Sequence, residues 1–140
     1  MNDFNGVKIG LIYEDKLVMI QRDDKPGLRF PGMWDFPGGA RESSETPFEC
    51  ASRELSEELS IKLDPKSIVW KKEVESMHDP KLQAHFFVAN ISKEEIGKIK
   101  LGDEGQRWDL IPVDDFFKRS DVVPKLKDRL KSYLDSITQK

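Results

Sequence analysis

The sequence predicts an α/β fold in which a mixed sheet lies between helices. Apolar segments typical of strands occur both before and after a central amphipathic helix, and a second amphipathic helix closes the chain. Elements in this order bury their apolar faces by packing helices on a sheet. The chain has 140 residues, which is the length of one domain, so we expect a single domain over residues 1–140.

The N-terminal part is expected to form a β-hairpin, a loop and a short strand. Apolar residues alternate over Val7–Tyr13, and a second strand, Leu17–Ile20, follows a short polar turn. The segment Arg22–Gly32 places glycines and prolines among charged residues and is therefore predicted to be a loop. Trp34–Phe36 is predicted to be a short strand that ends at the turn Pro37-Gly38-Gly39.

The central helix has the clearest start signal in the sequence. Thr46 suits the N-cap, Pro47 suits the first helical position, and Glu49 completes a capping box. We predict that the helix covers Pro47–Leu59. The apolar stripe at helical spacing comprises Phe48, Ala51, Leu55 and Leu59.

The remaining elements follow from shorter patterns. Strands are predicted over Ser67–Val74, Leu82–Ile91 and Arg107–Ile111, a helical turn over Val113–Lys118, and a closing helix over Val123–Ile137. The charged segment Ser92–Leu101 favours no element clearly.

Composition excludes several classes of protein. Lys and Arg number 23 against 26 for Asp and Glu, and this net charge of −3 argues against a nucleic-acid binder. One cysteine, Cys50, excludes an intrachain disulfide, and with only His78 and His85 beside it a structural zinc site is not expected. No apolar run is long enough to span a bilayer, and the polar N-terminus does not resemble a secretory signal, so we expect a cytoplasmic protein without membrane contact.

Three carboxylates lie on one arc near the end of the central helix. At about 100° per residue, Glu54, Glu57 and Glu58 fall within about 100°. The i, i+4 pair of like charges costs about 0.2–0.5 kcal/mol, and anions in the last turn cost about 0.3–1 kcal/mol against the helix dipole. One interpretation is a solvated acidic helix face. The other is a site for a hard cation such as Mg²⁺ or Mn²⁺, with a backbone carbonyl of the Gly38-Gly39 turn as a further oxygen ligand.

The spacing of the charged residues resembles a known motif. Gly39, Glu45 and the run Arg53–Ile61 closely resemble the Nudix box, and Trp34–Gly39 resembles the approach to that box in the MutT-like branch. One position departs, because the family has glycine where this chain has Ser60. A left-handed conformation there costs a residue other than glycine about 1 kcal/mol, but the change removes no ligand.

The resemblance implies a Nudix α/β/α sandwich and a set of metal ligands. Glu57 and Glu58 match the principal metal-binding glutamates, and Glu54 matches a further ligand or base. The carbonyl of Gly38 matches a backbone ligand. The implied cofactor is Mg²⁺, with Mn²⁺ as the alternative.

Further roles are implied outside these ligands. Arg53 matches the arginine that orients the catalytic glutamates, with Glu45 as its partner. Glu104 lies in a late loop, where relatives supply a metal ligand or general base. For substrate binding, Arg22 matches a phosphate-binding arginine and Trp34 offers a ring for base stacking, although a surface charge and a core residue are the respective alternatives.

The implied activity is hydrolysis of the diphosphate linkage of a nucleotide. The MutT-like approach favours a (d)NTP, including an oxidised guanine nucleotide, as the small-molecule partner, with the monophosphate and pyrophosphate as products. A pyrophosphatase of ADP-ribose or of another nucleoside-diphosphate sugar is the first alternative, and a nucleotide sensor without activity is the second. A homodimer is left open.

Overall fold

The computed structural model describes residues 4–77, 79 and 81–138 of the chain. The strands are β1 (Phe4–Tyr13), β2 (Lys16–Gln21), β3 (Trp34–Asp35), β4 (Gly38–Ala40), β5 (Ile68–Glu75), β6 (Gln83–Asn90) and β7 (Arg107–Pro112). The helices are α1 (Pro47–Leu59), α2 (Lys93–Ile96), α3 (Val113–Lys118) and α4 (Leu126–Thr138), and a short 3-10 helix covers Pro65–Ser67.

Within the described residues, these strands form one seven-stranded mixed sheet. Its main path runs β3-β2-β1-β6-β5, while β4 pairs with β1 and β7 pairs with β2. The central pair β1 and β6 is parallel, whereas β1 and β2 form the predicted antiparallel hairpin. A parallel pair needs a long crossover connection, and here the connection between β1 and β6 contains α1.

Side chains on the two faces of the sheet enter two separate hydrophobic clusters. On β2, Val18 and Ile20 belong to one cluster, and Leu17 and Met19 belong to the other. This alternation follows from the period of two in a strand. The α1 residues in the first cluster are Cys50, Ala51, Leu55 and Leu59. The second cluster receives Phe116 from α3 and Leu126 and Leu130 from α4. Helices therefore cover both faces, and the predicted α/β/α class is confirmed.

The Gly38-Gly39 segment differs from its prediction, because it forms strand β4 rather than a free turn. It pairs antiparallel with β1, in the register Val7↔Gly39 and Lys8↔Gly38. Gly38 has a φ of 137°, and a Cβ there would collide with the carbonyl oxygen of Val7. Only glycine allows two backbones to approach this closely in that conformation. Glycines carry no apolar alternation, so the pattern in the sequence could not indicate a strand.

The start of the last helix also differs from its prediction. The helix begins at Leu126 instead of Val123, because residues 121–123 run alongside β3. Trp34 N donates to the carbonyl of Asp121 at 2.8 Å, and Val123 N donates to the carbonyl of Trp34 at 2.9 Å. The apolar pattern of the helix extends back to Val123, but these long-range backbone hydrogen bonds hold that segment against β3 instead. The segment that favoured no element contains the short helix α2, which a Ser92–Glu95 capping box starts.

Helix α1 begins and ends as the local chemistry dictates. The Thr46 hydroxyl accepts from Glu49 N, and the Glu49 carboxylate accepts from Thr46 N, which confirms the capping box. Ser60 ends the helix in the left-handed conformation, with φ 58° and ψ 33°. The last carbonyls of α1 accept from the segment that follows α2, through Lys100 N to Leu59 O at 3.0 Å and Gly102 N to Glu58 O at 2.9 Å.

We expect Ser60→Gly to stabilise the protein by about 0.5–1 kcal/mol, because glycine adopts the left-handed conformation without steric cost. The exposed hydrogen bond from the Ser60 hydroxyl to Lys100 O, at 3.3 Å, offsets part of this gain. Thermal unfolding measures the change, with an expected rise in Tm of about 1–4 °C. Ser56→Gly in the exposed interior of α1 is the matched control and should lower Tm. A lower Tm for Ser60→Gly would contradict the left-handed cap.

Candidate active site

A cavity of about 720 Å³ opens where α1 meets β1, β3 and β4. Five of the residues that the sequence predicts for the site line it: Arg22, Gly38, Glu54, Glu58 and Glu104. Arg53, Glu57 and Trp34 are absent from its lining. The fold therefore brings Glu104 of the late loop and Arg22 at the end of β2 to the same cavity as the carboxylates of α1.

Arg53 binds several acidic side chains at once. Its Nε donates to Glu45 at 2.7 Å, and its Nη1 donates to Glu54 at 3.0 Å and to Glu57 at 2.9 Å. Its Nη2 also donates to the carbonyl of Ala40 at 2.8 Å, which ties α1 to β4. The guanidinium is a fixed fork of donors, so these contacts set the positions of the carboxylates relative to the sheet.

Glu54 and Glu58 are the two α1 carboxylates in the cavity wall. Glu54 lies against Gly39, where an added Cβ would stand 2.7 Å from the carboxylate atoms. Burial raises the pKa of Glu54, and Arg53 opposes this effect. Glu58 Oε1 accepts from Gly38 N at 2.7 Å, but burial still raises the pKa of Glu58 to about 8. The negative charge of Glu54 adds to that rise, whereas the Lys8 ammonium opposes it.

Glu57 shares Arg53 with Glu54 but is more exposed. Its side chain is 52% exposed and its carboxylate contacts Arg53. Across the described residues, no group of three or more His, Cys, Asp or Glu side chains is arranged to hold a metal ion. Of the predicted ligands, Glu54, Glu58 and Glu104 line the cavity, and Glu57 does not.

The position of Glu104 depends on a close packing contact before it. Gly102 lies directly against the end of α1, where a Cβ would collide with the carbonyl oxygen of Glu57. After the turn, Gly105 N donates to Asp23 Oδ2 at 3.2 Å. These two contacts hold the loop beside the cavity, and Glu104 lies in its wall.

The two predicted substrate-binding residues differ in their surroundings. Arg22 lines the cavity, where its Nη1 lies 3.2 Å from Asp35 Oδ2 and its Nε donates to Arg29 O at 2.9 Å. Trp34 is only 2% exposed and belongs to the second hydrophobic cluster, and Arg107 and Arg119 lie over its ring. The stacking role predicted for Trp34 is therefore corrected, because the packing that holds β3 leaves no face of the ring open to a base.

Five charged residues of the cavity were missed by the sequence reasoning: Asp23 and Lys25 lie in the predicted loop that follows β2, and the other three come from two strands and a helix. Lys8 and Asp35 form an ion pair at 2.8 Å, and Arg129 enters the cavity wall from α4. Each of these three had a signal that could have found it. Lys8 and Asp35 are charges between apolar strand neighbours, and Arg129 lies on the apolar stripe of the closing helix. Charges at such positions are rarely buried unless they are paired or functional.

The remaining reactive residues lie elsewhere. His85 on β6 packs edge-on against Phe4 and does not line this cavity, while His78 lies outside the described residues. Cys50 is fully buried, and burial raises the pKa of its thiol to about 12. The thiol is thus a packed apolar group rather than a nucleophile.

We expect Cys50 to resist alkylation in the folded protein. The thiolate is the reactive form, and a pKa raised from 9.0 to about 12 leaves the thiol protonated at pH 8. Iodoacetamide at pH 8 should modify the native protein at least about 100-fold more slowly than the protein unfolded in guanidinium, as mass spectrometry would measure. Equal rates in the two states would contradict the burial of Cys50.

The fold and the carboxylate-lined cavity define a hydrolase of the Nudix class, and comparison with known families places the chain in it. The NUDIX domain family model matches residues 6–133. The chain belongs to the Nudix family, which confirms the predicted family and the enzyme class of pyrophosphohydrolase.

Solved structures with the same fold are distant in sequence. The MutT protein from Methanosarcina mazei Go1 is 17% identical, with a TM-score of 0.72 over 99% of this chain and 98% of that one. A bifunctional NMN adenylyltransferase/ADP ribose pyrophosphatase from Francisella tularensis, complexed with AMP and a Mn ion, is 18% identical, with a TM-score of 0.76 over 97% of this chain and 42% of that one. A C. elegans Ap4A hydrolase is 17% identical, with a TM-score of 0.70 over 95% and 98% of the two chains. At these identities the likeness concerns the fold. No helix among the described residues has the length and apolar character to cross a bilayer.

Proposed function

We propose that this protein hydrolyses the diphosphate linkage of a (d)NTP, giving the monophosphate and pyrophosphate, with oxidised guanine nucleotides among its substrates. The observation that carries the proposal is the cavity itself, where Glu54, Glu58 and Glu104 line the same space as Lys8 and Arg22. Carboxylates beside cations suit a ligand that brings both phosphate groups and a divalent ion.

The residues fit a hard divalent cation such as Mg²⁺, with Mn²⁺ as the alternative. The donors are all oxygens, which these ions prefer. Besides the effect of burial, the negative charge of Glu57 raises the pKa of Glu54 and that of Glu54 raises the pKa of Glu58, and a cation would reverse this repulsion. Glu54, Glu57 and Glu58, with the Gly38 carbonyl and Glu104, are the residues that would hold it.

The protein's own residues accept the proton, position the carboxylates and bind the phosphates. When bound, the divalent ion neutralises charge on the diphosphate and lowers the pKa of the attacking water. Glu54 or Glu104 accepts the proton of that water, because both residues line the cavity. Arg53 holds Glu54 in place, and Arg22 supplies positive charge for the phosphates. Each of these interactions strengthens as charge builds on the phosphates, which is the condition for catalysis.

The alternative substrates would bind at the same site. Two of the structural neighbours are an ADP ribose pyrophosphatase and an Ap4A hydrolase, so ADP-ribose and diadenosine polyphosphates belong in any substrate screen. A nucleotide sensor would bind its ligand without cleaving it. The complete set of box glutamates favours the enzyme over the sensor.

A substrate screen with product analysis tests the proposal. Purified protein is incubated with canonical and oxidised (d)NTPs, ADP-ribose and diadenosine polyphosphates, in Mg²⁺ or in EDTA, and phosphate products are separated by ion chromatography. We expect pyrophosphate from a (d)NTP in Mg²⁺ and none in EDTA. Undiminished turnover in EDTA, or cleavage confined to ADP-ribose, would contradict it. Calorimetric binding without turnover would identify a sensor instead.

A further inference from the structure

Lys8 is a charged residue in the central strand β1, where its neighbours Val7 and Ile9 are buried in the first hydrophobic cluster. Its backbone is fixed between two other strands, because it is in register with Gly38 of β4 and with Phe86 of β6. Its side chain is only 15% exposed and lines the cavity. A lysine is rarely placed so far from water unless its charge has partners, so the groups around the ammonium indicate its purpose.

The ion pair of Lys8 with Asp35 does not account for all of the positive charge at this place. Asp35 Oδ2 accepts from Lys8 Nζ at 2.8 Å, and Arg22 Nη1 lies 3.2 Å from the same oxygen. Two cations therefore share a single carboxylate, which leaves an excess of positive charge in the cavity wall. A charge removed from water is costly unless a partner of opposite sign compensates it. An anionic ligand in the cavity supplies that partner.

The ammonium of Lys8 keeps one N–H donor for such a ligand. An ammonium carries three N–H donors. Asp35 Oδ2 accepts one of them, and the carbonyl oxygen of Phe36, at 3.4 Å from Nζ, accepts a second. Across residues 4–77, 79 and 81–138, Lys8 Nζ has no further acceptor. The third donor is therefore available to a group bound in the cavity.

On one side, Lys8 lies near the carboxylates of α1 without an ion pair to either of them in the described part of the chain. Glu58 Oε1 accepts from the N–H of Gly38, the residue in register with Lys8. Burial raises the pKa of Glu54 and of Glu58, and the charge of Lys8 is among the effects that oppose this rise. All three side chains line the cavity, so a ligand can lie between the ammonium and the carboxylates.

On the other side, Lys8 adjoins an apolar part of the cavity wall. Its partner Asp35 follows Trp34, whose carbonyl accepts from the N–H of Val123 at 2.9 Å, and Val123 lines the cavity. Along the wall, Val123, Asp35, Lys8 and Glu58 are thus successive neighbours. A nucleotide has groups in the same order, because its apolar nucleoside suits the apolar lining and its diphosphate belongs beside the carboxylates. The phosphoryl group that joins these two parts falls at Lys8.

We propose that Lys8 is a substrate-binding residue whose ammonium donates to the phosphoryl group attached directly to the nucleoside. This inference rests on the proposed function, because it takes the ligand to be a nucleotide. A hydrogen bond from an ammonium to a phosphate oxygen is charge-assisted and therefore stronger than one between neutral groups. Asp35 and the carbonyl of Phe36 already hold the ammonium in place, so little side-chain freedom is lost when the phosphate binds.

The test measures how much the phosphate contributes to binding, with dGMP and deoxyguanosine as the two probes. A monophosphate contains no diphosphate linkage, so calorimetry in EDTA measures binding without turnover. We expect the wild type to bind dGMP at least about tenfold more tightly than deoxyguanosine. In Lys8→Met, Arg22 still pairs with Asp35, but the ammonium is gone. The ratio of the two Kd values should therefore fall at least about tenfold.

Matched variants separate phosphate binding from folding. Lys71→Met makes the same change at an exposed position on β5, outside the cavity lining, and should keep the wild-type ratio. If circular dichroism shows that Lys8→Met does not fold, Lys8→Gln provides a second reading, because its amide keeps a donor for Asp35 without the charge.

The possible failures of this inference and of the proposed function are distinguishable. Equal affinity of the wild type for dGMP and deoxyguanosine, or a ratio unchanged in the folded Lys8 variants, would overturn the inference. A wild type that cleaves no (d)NTP in Mg²⁺ but prefers dGMP through Lys8 would instead overturn the proposed function alone.

Discussion

Glu58→Gln is expected to lower kcat of the Mg²⁺-dependent reaction by about 10³-fold. The substitution keeps the size of the side chain and its acceptor toward Gly38 N, but it removes the negative charge that the proposed cation requires. Steady-state kinetics on the substrate found in the screen measure the loss. Glu73→Gln, at an exposed position on β5, is the matched control and should leave kcat unchanged. Activity of Glu58→Gln within about threefold of the wild type would exclude Glu58 from the reaction.

The pH dependence of the Tm of Glu58→Gln distinguishes a loss of catalysis from a loss of folding. Burial raises the pKa of Glu58 from 4.5 to about 8, so the folded state favours the protonated form. The stability contributed by that proton is fully present below pH 4.5 and is lost as the pH rises through 8. Without metal, Glu58→Gln should therefore gain Tm relative to the wild type between pH 5 and pH 9. If the Tm of the wild type exceeded that of Glu58→Gln by a margin that grows with pH, the raised pKa of the buried Glu58 would be contradicted.

Gly39→Ala is expected to lower kcat/KM by about 100-fold while the protein still folds. The added Cβ would lie 2.7 Å from the carboxylate of Glu54, and the end of a flexible side chain yields more easily than backbone. Glu54 is then displaced from the position that Arg53 gives it, and a misplacement of about 1 Å costs about that factor in rate. Circular dichroism and kcat/KM measured on one preparation check both halves of the prediction.

Gly97→Ala is the control for Gly39→Ala. Gly97 has a φ of −66°, and the nearest atom to its added Cβ lies at 3.5 Å, so alanine fits without displacement. We expect wild-type activity from this variant. Wild-type activity in Gly39→Ala as well would mean that the position of Glu54 is not critical for the reaction.

Sequence patterns predicted the helices and strands that depend on interactions between residues close together in the chain. The capping box of Thr46 and Glu49 starts α1, and the apolar stripe identifies the face that packs on the sheet. The hairpin of β1 and β2 follows from alternation and a polar turn. The Nudix box spacing identified Arg53 and its glutamates, which the structure places in contact.

Elements with long-range causes were missed or shifted. Strand β4 exists because Gly38 and Gly39 pair with β1, and two glycines give no pattern in the sequence. Helix α4 starts late because Val123 hydrogen-bonds to β3. In both cases the deciding hydrogen bond comes from a strand far along the chain, which no window of sequence contains.

The amino-acid order by itself determined the family, the layer order and the carboxylates of α1, since these depend on spacings within a single helix or hairpin. Only the tertiary structure decided which side chains line the cavity and which are buried or paired elsewhere. It buried Trp34, turned Glu57 toward Arg53, and brought Asp35 and Arg129 to one cavity from distant parts of the chain. The physical reason is that burial and charge pairing depend on neighbours in space, and these neighbours exist only after the sheet and α4 have packed together.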